Sequence, residues 1–182
     1  MNGQAVISIP VSKLEEHKEK VAKREEKLNK IVDEVIQLKE VSPDVFLQLK
    51  YLYRQIMNET VVHPLCVAHK PFGHIAERLE QHIHSLEVPM RLSALEKVLN
   101  EVKKLGYTPS GSLEDLKSWV SYRPNFPIWI SKGDNSFCIS IDEENIYVIP
   151  FNGQKPHDKV KYSHIEIPFL PEIISSYERE HA

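Results

Sequence analysis

The fold class is decided by residues 128–149, which read IWISKGDNSFCISIDEENIYVI. The stretch contains three runs rich in β-branched and aromatic residues: Ile128–Ser131, Phe137–Ile141 and Ile146–Ile149. Two polar segments typical of tight turns separate these runs. In the middle run apolar residues alternate with Cys138 and Ser140, so one side of a strand is apolar and the other is small or polar. The pattern predicts an antiparallel meander.

Short helices and one more strand are predicted around this meander. Ser112 and Asp115 have the spacing of a helix start and precede an apolar face that ends near Val120. Downstream, residues 162–167 form a candidate fourth strand, and two prolines then lead into a short terminal helix. Residues 106–182 therefore read as a small α+β domain with a three- or four-stranded antiparallel sheet.

Upstream, apolar residues recur at the three- and four-residue spacing of amphipathic helices. A capping box of Ser12 and Glu15 predicts a long helix that ends near Lys39. Ser42-Pro43-Asp44 then supplies an N-cap, a proline at the first helical position and an acidic first turn. We expect these two helices to close as a helical hairpin over residues 1–60.

Residues 61–105 read as a histidine-rich loop followed by two helices. Pro64, Pro71 and Gly73 punctuate the loop. The first helix should stop before Pro89, since a proline disfavours helical backbone in the residue before it. The second should run from about Arg91 to Leu105. The sequence as a whole thus predicts an α+β protein: an N-terminal helical hairpin or bundle followed by a small C-terminal antiparallel sheet with flanking helices.

The first helix carries a heptad repeat that allows two interpretations. Apolar residues recur at every seventh position: Leu14, Val21, Leu28 and Val35. The companion positions Lys18 and Glu25 are charged, so only half of a coiled-coil seam is made. The repeat indicates either a dimerisation arm that pairs through residues 28–38 or a solvated helix end, and Leu28 and Val35 are candidate partner-binding residues.

Five of the nine histidines lie within residues 63–84, and His63, Cys66 and His69 form a His-x2-Cys-x2-His run. Imidazole nitrogens and a thiolate at such spacing suit a tetrahedral zinc site, although a closed site needs a fourth ligand. The alternative is a loop that carries ordinary surface and half-buried histidines.

Aromatic residues cluster where the helical pattern gives way to strands: Tyr107, Trp119, Tyr122, Phe126 and Trp129. Such a group either seals helices onto a sheet or forms a recognition surface, because Trp, Tyr and Arg are enriched among residues that dominate binding energy. We expect the segment around Tyr122 and Arg123 to be exposed and to contact a partner.

Composition excludes several classes of protein. The 182 residues carry 23 Lys and Arg against 26 Asp and Glu, and residues 106–182 are acidic, with 7 against 11. An acidic region opposes the phosphate contacts of a nucleic-acid binder, which makes that function the minor alternative. No apolar run reaches the length of a membrane span, and two cysteines make no disulfide framework. We expect a soluble cytoplasmic chain that has no membrane partner.

No motif for catalysis stands out. The glycines fall at separate turns rather than in a phosphate-binding loop, and no Ser or Cys lies in a glycine-bounded strand-to-helix turn. The sequence therefore favours a non-enzymatic interaction or regulatory protein, of adaptor or inhibitor type and of bacterial or phage origin. It would bind another protein or a second copy of itself. The alternatives are a zinc-binding module or metal-dependent enzyme built on His63, Cys66 and His69, and a nucleic-acid-binding regulator.

Overall fold

A computed structural model of the chain describes residues 9–152 and 155–180. The described helices are α1 (Val11–Val35), α2 (Pro43–Asn58), α3 (Gly73–Lys104), α4 (Leu113–Tyr122) and α5 (Leu170–Glu180). A 3-10 helix, His164–Phe169, precedes α5. The strands are β1 (Val61–Val62), β2 (Ala68–His69), β3 (Thr108–Pro109), β4 (Ile128–Lys132), β5 (Asn135–Ile141), β6 (Asn145–Asn152), β7 (Lys155–Pro156) and β8 (Val160–Ser163). The α+β class predicted from the sequence is confirmed.

The chain divides into two compact units. The first, which we call the helical unit, holds the described residues up to Lys39 together with Gln48–Ile83. The second, the sheet unit, holds Glu40–Leu47 and the described residues from His84 onward. The division falls within α2 and within α3, so both helices contribute residues to both units.

The helical unit is built from α1, most of α2, the first part of α3 and a small hairpin of β1 and β2. Its buried apolar side chains come from all three helices and from Phe72, which directly precedes α3: Leu28, Val32, Leu49, Ile56, Phe72, Ile75, Leu79 and Ile83. Polar contacts hold α1 to its neighbours. Arg24 forms a two-pronged pair with Glu59, with distances of 2.8 and 2.9 Å, and Arg78 donates to Asn29 and Asp33.

The sheet unit contains a six-stranded antiparallel sheet in the order β3-β4-β5-β6-β7, with β8 also paired to β6. Ile128 lies opposite Ile139, and Ile139 lies opposite Val148, so the alternation read from the sequence places one apolar face in register across the strands. Helices α3, α4 and α5 join that face in a single core, which includes Leu95, Val98, Leu116, Val120, Leu170 and Ile174.

One helix boundary predicted from the sequence is wrong. The helix that should have stopped before Pro89 continues through it, and α3 is one helix of 32 residues. An interior proline costs about 3 kcal/mol because it removes a backbone donor and crowds the preceding turn. Here Leu86, Met90 and Leu95 are buried on either side of Pro89. Their burial offsets that cost, so tertiary packing overrides the local signal.

Other boundaries also differ. The capping box of Ser12 and Glu15 does not form, because α1 begins two residues earlier than that box requires, at Val11 with Pro10 as its N-cap. The candidate strand over residues 162–167 ends at Ser163. A 3-10 helix follows, since Glu166 accepts a hydrogen bond from the Ser163 amide at 2.7 Å and Pro168 has no amide hydrogen for a ladder. By contrast, α2 begins at Pro43 as predicted, and Ser112 caps α4 through the Asp115 amide.

Candidate functional site

The segment at the end of α4 is the most exposed aromatic feature of the sheet unit. Tyr122, the last residue of the helix, is 92% exposed, and Arg123, which follows it, is exposed as well. Both positions agree with the exposure expected from the sequence. Trp119 lies one turn before Tyr122 and is 39% exposed, so both side chains share one side of the helix. We call Trp119, Tyr122, Arg123 and Phe126 the α4 aromatic patch.

Two neighbours fix the indole ring of Trp119 in place. The ring of Phe126 packs on it with centroids 5.0 Å apart and planes tilted by 31°. On another side the ring approaches Gly111, where a Cβ would lie 3.4 Å from the Trp119 Cζ3 atom. Gly111 also has a φ of +116°, a backbone conformation that other residues rarely adopt. These two contacts restrict the orientations open to the Trp119 ring, which is 39% exposed at the surface.

Trp129, in contrast, lies on the face of the sheet opposite the helical core. It alternates with the buried Ile128 and Ile130 along β4, and its ring packs on Phe151 with centroids 4.7 Å apart. Tyr107 is buried and belongs to the core, where its ring contacts Phe137. The aromatic group identified in the sequence thus separates into core, sheet-face and exposed members.

An open cleft of about 470 Å³ lies where α3, β3 and the start of α4 meet. Its lining includes the apolar residues Leu99, Pro109 and Leu113 and the polar residues Asn100 and Lys103. Leu113 is the first residue of α4, whereas Tyr122 is the last. The cleft and the α4 aromatic patch therefore mark opposite ends of the same short helix.

A group of three histidines lies in the helical unit. His63 and His69 come from the β1–β2 hairpin, and His17 approaches them from α1. The ring centroids are 5.0 Å apart for His17 and His63, 5.7 Å for His17 and His69, and 6.4 Å for His63 and His69. Partial burial, reinforced by the two neighbouring imidazoles and Lys20, lowers the pKa of His17.

The structure thus adds a residue that the local motif did not contain. Cys66 is exposed at the hairpin turn, with a φ of 59°, and takes no part in the ring contacts of the three histidines. Its amide donates to the His63 carbonyl at 2.8 Å, so its position is set by the turn. Spacing along the chain could show His63 and His69 near each other, but not that α1 brings a third imidazole.

The candidate partner-binding residues of the first helix lie in different surroundings. Leu28 is 1% exposed and packs in the core of the helical unit, so a partner could reach it only by displacing that core. Val35 is half-buried at the last position of α1. The side chain of Ile31, between them, is exposed.

A buried polar network, which sequence reasoning missed, joins the helices of the sheet unit to the β5–β6 turn. Arg91 on α3 is 5% exposed. Its Nε donates to the Val120 carbonyl at 3.0 Å, its Nη2 to the Ser121 carbonyl at 3.1 Å, and its Nη1 to the Glu143 carboxylate. The guanidinium therefore satisfies carbonyls in the last turn of α4, where positive charge is favourable.

Asp142 and His164 complete the same turn. Burial alone would raise the pKa of Asp142, but bonds from the Glu144 amide, the Tyr147 hydroxyl and Asn145 together lower it. His164 is buried, and its Nε2 lies 2.9 Å from the Asp142 carbonyl. Burial lowers the pKa of His164 more than the nearby carbonyl acceptors raise it. These groups are engaged in structural bonds.

Among residues 9–152 and 155–180, no three His, Cys, Asp or Glu side chains have their ligating atoms arranged around one point as a bound metal ion requires. In the same part of the chain no helix is long and apolar enough to cross a membrane. Comparison of the chain with known protein families, with curated proteins and with solved structures finds no match.

Proposed function

We propose that this chain is a non-enzymatic interaction protein that binds another protein through the α4 aromatic patch. The observation that carries the proposal is the almost complete exposure of Tyr122 beside a rigid Trp119. Exposing a large aromatic ring to water gives no benefit to folding, whereas Tyr, Trp and Arg are enriched among the residues that dominate binding energy in protein interfaces.

Rigidity is the second argument for docking at this patch. A side chain that must be ordered on binding costs about 0.5–1.5 kcal/mol of entropy. Trp119 is already ordered by Phe126 and Gly111, so it can be buried by a partner at little further cost. Tyr122 has only two rotatable side-chain bonds, which also limits the freedom that it loses on binding.

The surroundings of two reactive side chains in the sheet unit favour a protein-binding function over a catalytic one. Burial raises the pKa of the Cys138 thiol, which opposes its use as a nucleophile. The carboxylate of Asp142 accepts hydrogen bonds from the Glu144 and Asn145 amides and from the Tyr147 hydroxyl, so it is already occupied. The acidic balance of residues 106–182 weakens the alternative of a nucleic-acid partner, because such binding depends on neutralising phosphates.

The test is site-specific crosslinking with a matched control position. A photoreactive phenylalanine analogue replaces Tyr122 in one version of the chain and Tyr51, which is 62% exposed on α2, in the other. Expressed in the host organism, the Tyr122 version should yield a defined crosslinked protein that the Tyr51 version does not. A product common to both positions would contradict a partner specific to the patch.

Binding of the purified partner then measures the energy at the patch. Tyr122→Ala should weaken the complex about 30-fold or more, the effect of a residue worth about 2 kcal/mol. Tyr51→Ala should change the affinity less than about twofold, and neither change should lower the melting temperature, because both rings are exposed. Equal affinities for the two variants would refute the proposal. A crosslinked product that consists of two copies of this chain would identify the partner as a second copy of the chain.

A further inference from the structure

The three histidines of the helical unit lie close together although they are far apart in sequence. His17 lies in the second turn of α1, whereas His63 and His69 flank the turn of the β1–β2 hairpin. Their ring centroids are separated by 5.0–6.4 Å. In the described part of the chain none of these three rings is paired with a carboxylate, unlike His74 with Glu25 and His84 with Glu87. Hydrogen bonding to acids therefore does not explain the cluster.

The spacing of the rings is close to that around a shared metal ion. Imidazole nitrogens bind Zn²⁺ at about 2.0–2.1 Å, which places the centroids of three rings on one tetrahedral ion about 5 Å apart. The separations of 5.0 and 5.7 Å are close to this value, whereas the 6.4 Å between His63 and His69 must shrink by about 1.4 Å. Small tilts of the side chains about the bond between Cα and Cβ, within one rotamer, bring the centroids together, and rotation about the bond between Cβ and the ring, which is broad for histidine, turns the nitrogens inward. The ligating atoms converge only after these side-chain movements. Partial exposure of all three residues leaves a path for the ion.

We propose that His17, His63 and His69 form a binding site for one divalent transition-metal ion, with Zn²⁺ as the first candidate. Neutral imidazole suits Zn²⁺, Cu²⁺ and Ni²⁺, whereas Mg²⁺ and Ca²⁺ prefer oxygen ligands. Three imidazoles leave the fourth tetrahedral position for water. The site differs from the His-x2-Cys-x2-His set of the sequence motif, because α1 supplies the third ligand in place of Cys66.

Metal binding at this site has a consequence for the hairpin turn. The Leu65 amide donates to Nδ1 of His63 at 3.2 Å, which leaves the proton of the neutral ring on Nε2. A metal ion at Nε2 moves that proton to Nδ1, where it faces the Leu65 amide and breaks the bond. The Leu65 amide is therefore a spectroscopic reporter of the ligand set.

The test uses the full chain without an affinity tag, titrated with Co²⁺ and Zn²⁺ as the probes. We expect one ion per chain, visible absorption bands of tetrahedral Co²⁺ that Zn²⁺ removes, and a shift of the Leu65 amide resonance on Zn²⁺ binding. His17→Gln and His69→Gln should each weaken Zn²⁺ binding at least tenfold. Lys20→Gln should strengthen it about two- to threefold, since Lys20 places a positive charge near His17.

The control variants separate this site from other histidines and from the cysteine. His84→Gln alters an exposed histidine of the sheet unit and should change the affinity less than twofold. Cys66→Ser should leave the affinity within threefold of the unaltered chain. Zn²⁺ binding that survives His17→Gln but fails in Cys66→Ser would overturn the proposal in favour of the hairpin motif alone. No binding at 1 mM Zn²⁺, or equal losses in His17→Gln and His84→Gln, would overturn it as well.

Discussion

Replacing Arg91 with methionine should destabilise the sheet unit by about 2–4 kcal/mol. Methionine fills most of the volume of the buried side chain but donates no hydrogen bond, so the carbonyls of Val120 and Ser121 lose their donor. Hydrogen bonds that involve a charged group contribute about 1.5–3 kcal/mol each, and part of that is recovered because methionine is apolar. Glu143 remains partly exposed and can be solvated, so its loss of a partner adds little.

The comparison with Glu143→Gln tests whether the stabilisation by Arg91 comes mainly from its bonds to the two carbonyls or from its pair with Glu143. In this variant Arg91 keeps both carbonyl contacts, and glutamine still offers an oxygen to its Nη1. We therefore expect a cost of about 1–2 kcal/mol, smaller than that of Arg91→Met. The double variant should cost less than the sum of the two single changes, because the groups interact directly.

Urea unfolding followed by tryptophan fluorescence measures these differences. Both tryptophans, Trp119 and Trp129, belong to the sheet unit, so the signal reports that unit. A loss of 2–4 kcal/mol should lower the midpoint by about 1 M or more. Arg123→Met, an exposed arginine of the same unit, should stay within about 0.5 kcal/mol of the unaltered chain. An Arg91→Met midpoint equal to that of Arg123→Met, or a larger loss in Glu143→Gln, would refute the argument.

Three further changes test other parts of the structure. Burial lowers the pKa of His164 below its unfolded value of about 6.5, so the unfolded chain binds a proton at this residue before the folded chain does. The contribution of neutral His164 to the free energy of unfolding should therefore be fully present above about pH 6.5. Below that pH the free energy of unfolding should fall by at most about 1.4 kcal/mol per pH unit. His164→Gln should flatten that slope in urea unfolding between pH 5 and 7, and an unchanged slope would assign it to other groups. Gly111→Ala should cost about 1–3 kcal/mol and alter the near-ultraviolet circular dichroism of Trp119, because alanine is strained at a φ of +116° and its Cβ contacts that ring; an unaltered spectrum would contradict the packing. Leu28→Asp should cost about 3–5 kcal/mol in thermal unfolding, whereas the exposed Lys20→Asp should cost less than about 0.5, and similar melting shifts would refute the assignment of the α1 core face.

Several features whose hydrogen bonds close within a few residues could be predicted from the sequence. The start of α4 at Ser112 depends on a bond to the amide three residues later, and the turn between β4 and β5 depends on Gly133 with its positive φ. The alternation of Phe137, Ile139 and Ile141 was enough to place the buried face of the sheet. In each case the residues that decide the structure are neighbours in the sequence.

Features decided by packing could not be predicted in this way. Pro89 has the local signature of a helix end, but the buried side chains around it belong to a core that only the folded chain assembles. The two-residue strands β1 and β2 carry no alternation that could distinguish them from a loop. The same limit applies to His17, which lies among charged residues of α1. Its contact with the other two histidines depends on a hairpin that follows more than forty residues later in the sequence.

Three consecutive acidic residues show how much of a functional interpretation depends on these distant contacts. By sequence alone Asp142, Glu143 and Glu144 form one solvated turn, yet Asp142 organises the turn through its own carboxylate and Glu143 pairs with Arg91, some fifty residues away.

The α4 aromatic patch depends mainly on local geometry, since Trp119 and Tyr122 are three residues apart on one helix. The histidine site depends on α1 meeting the hairpin. The two proposals therefore respond differently to a local change in backbone: disruption of the β1–β2 hairpin should abolish metal binding and leave binding through Tyr122 intact.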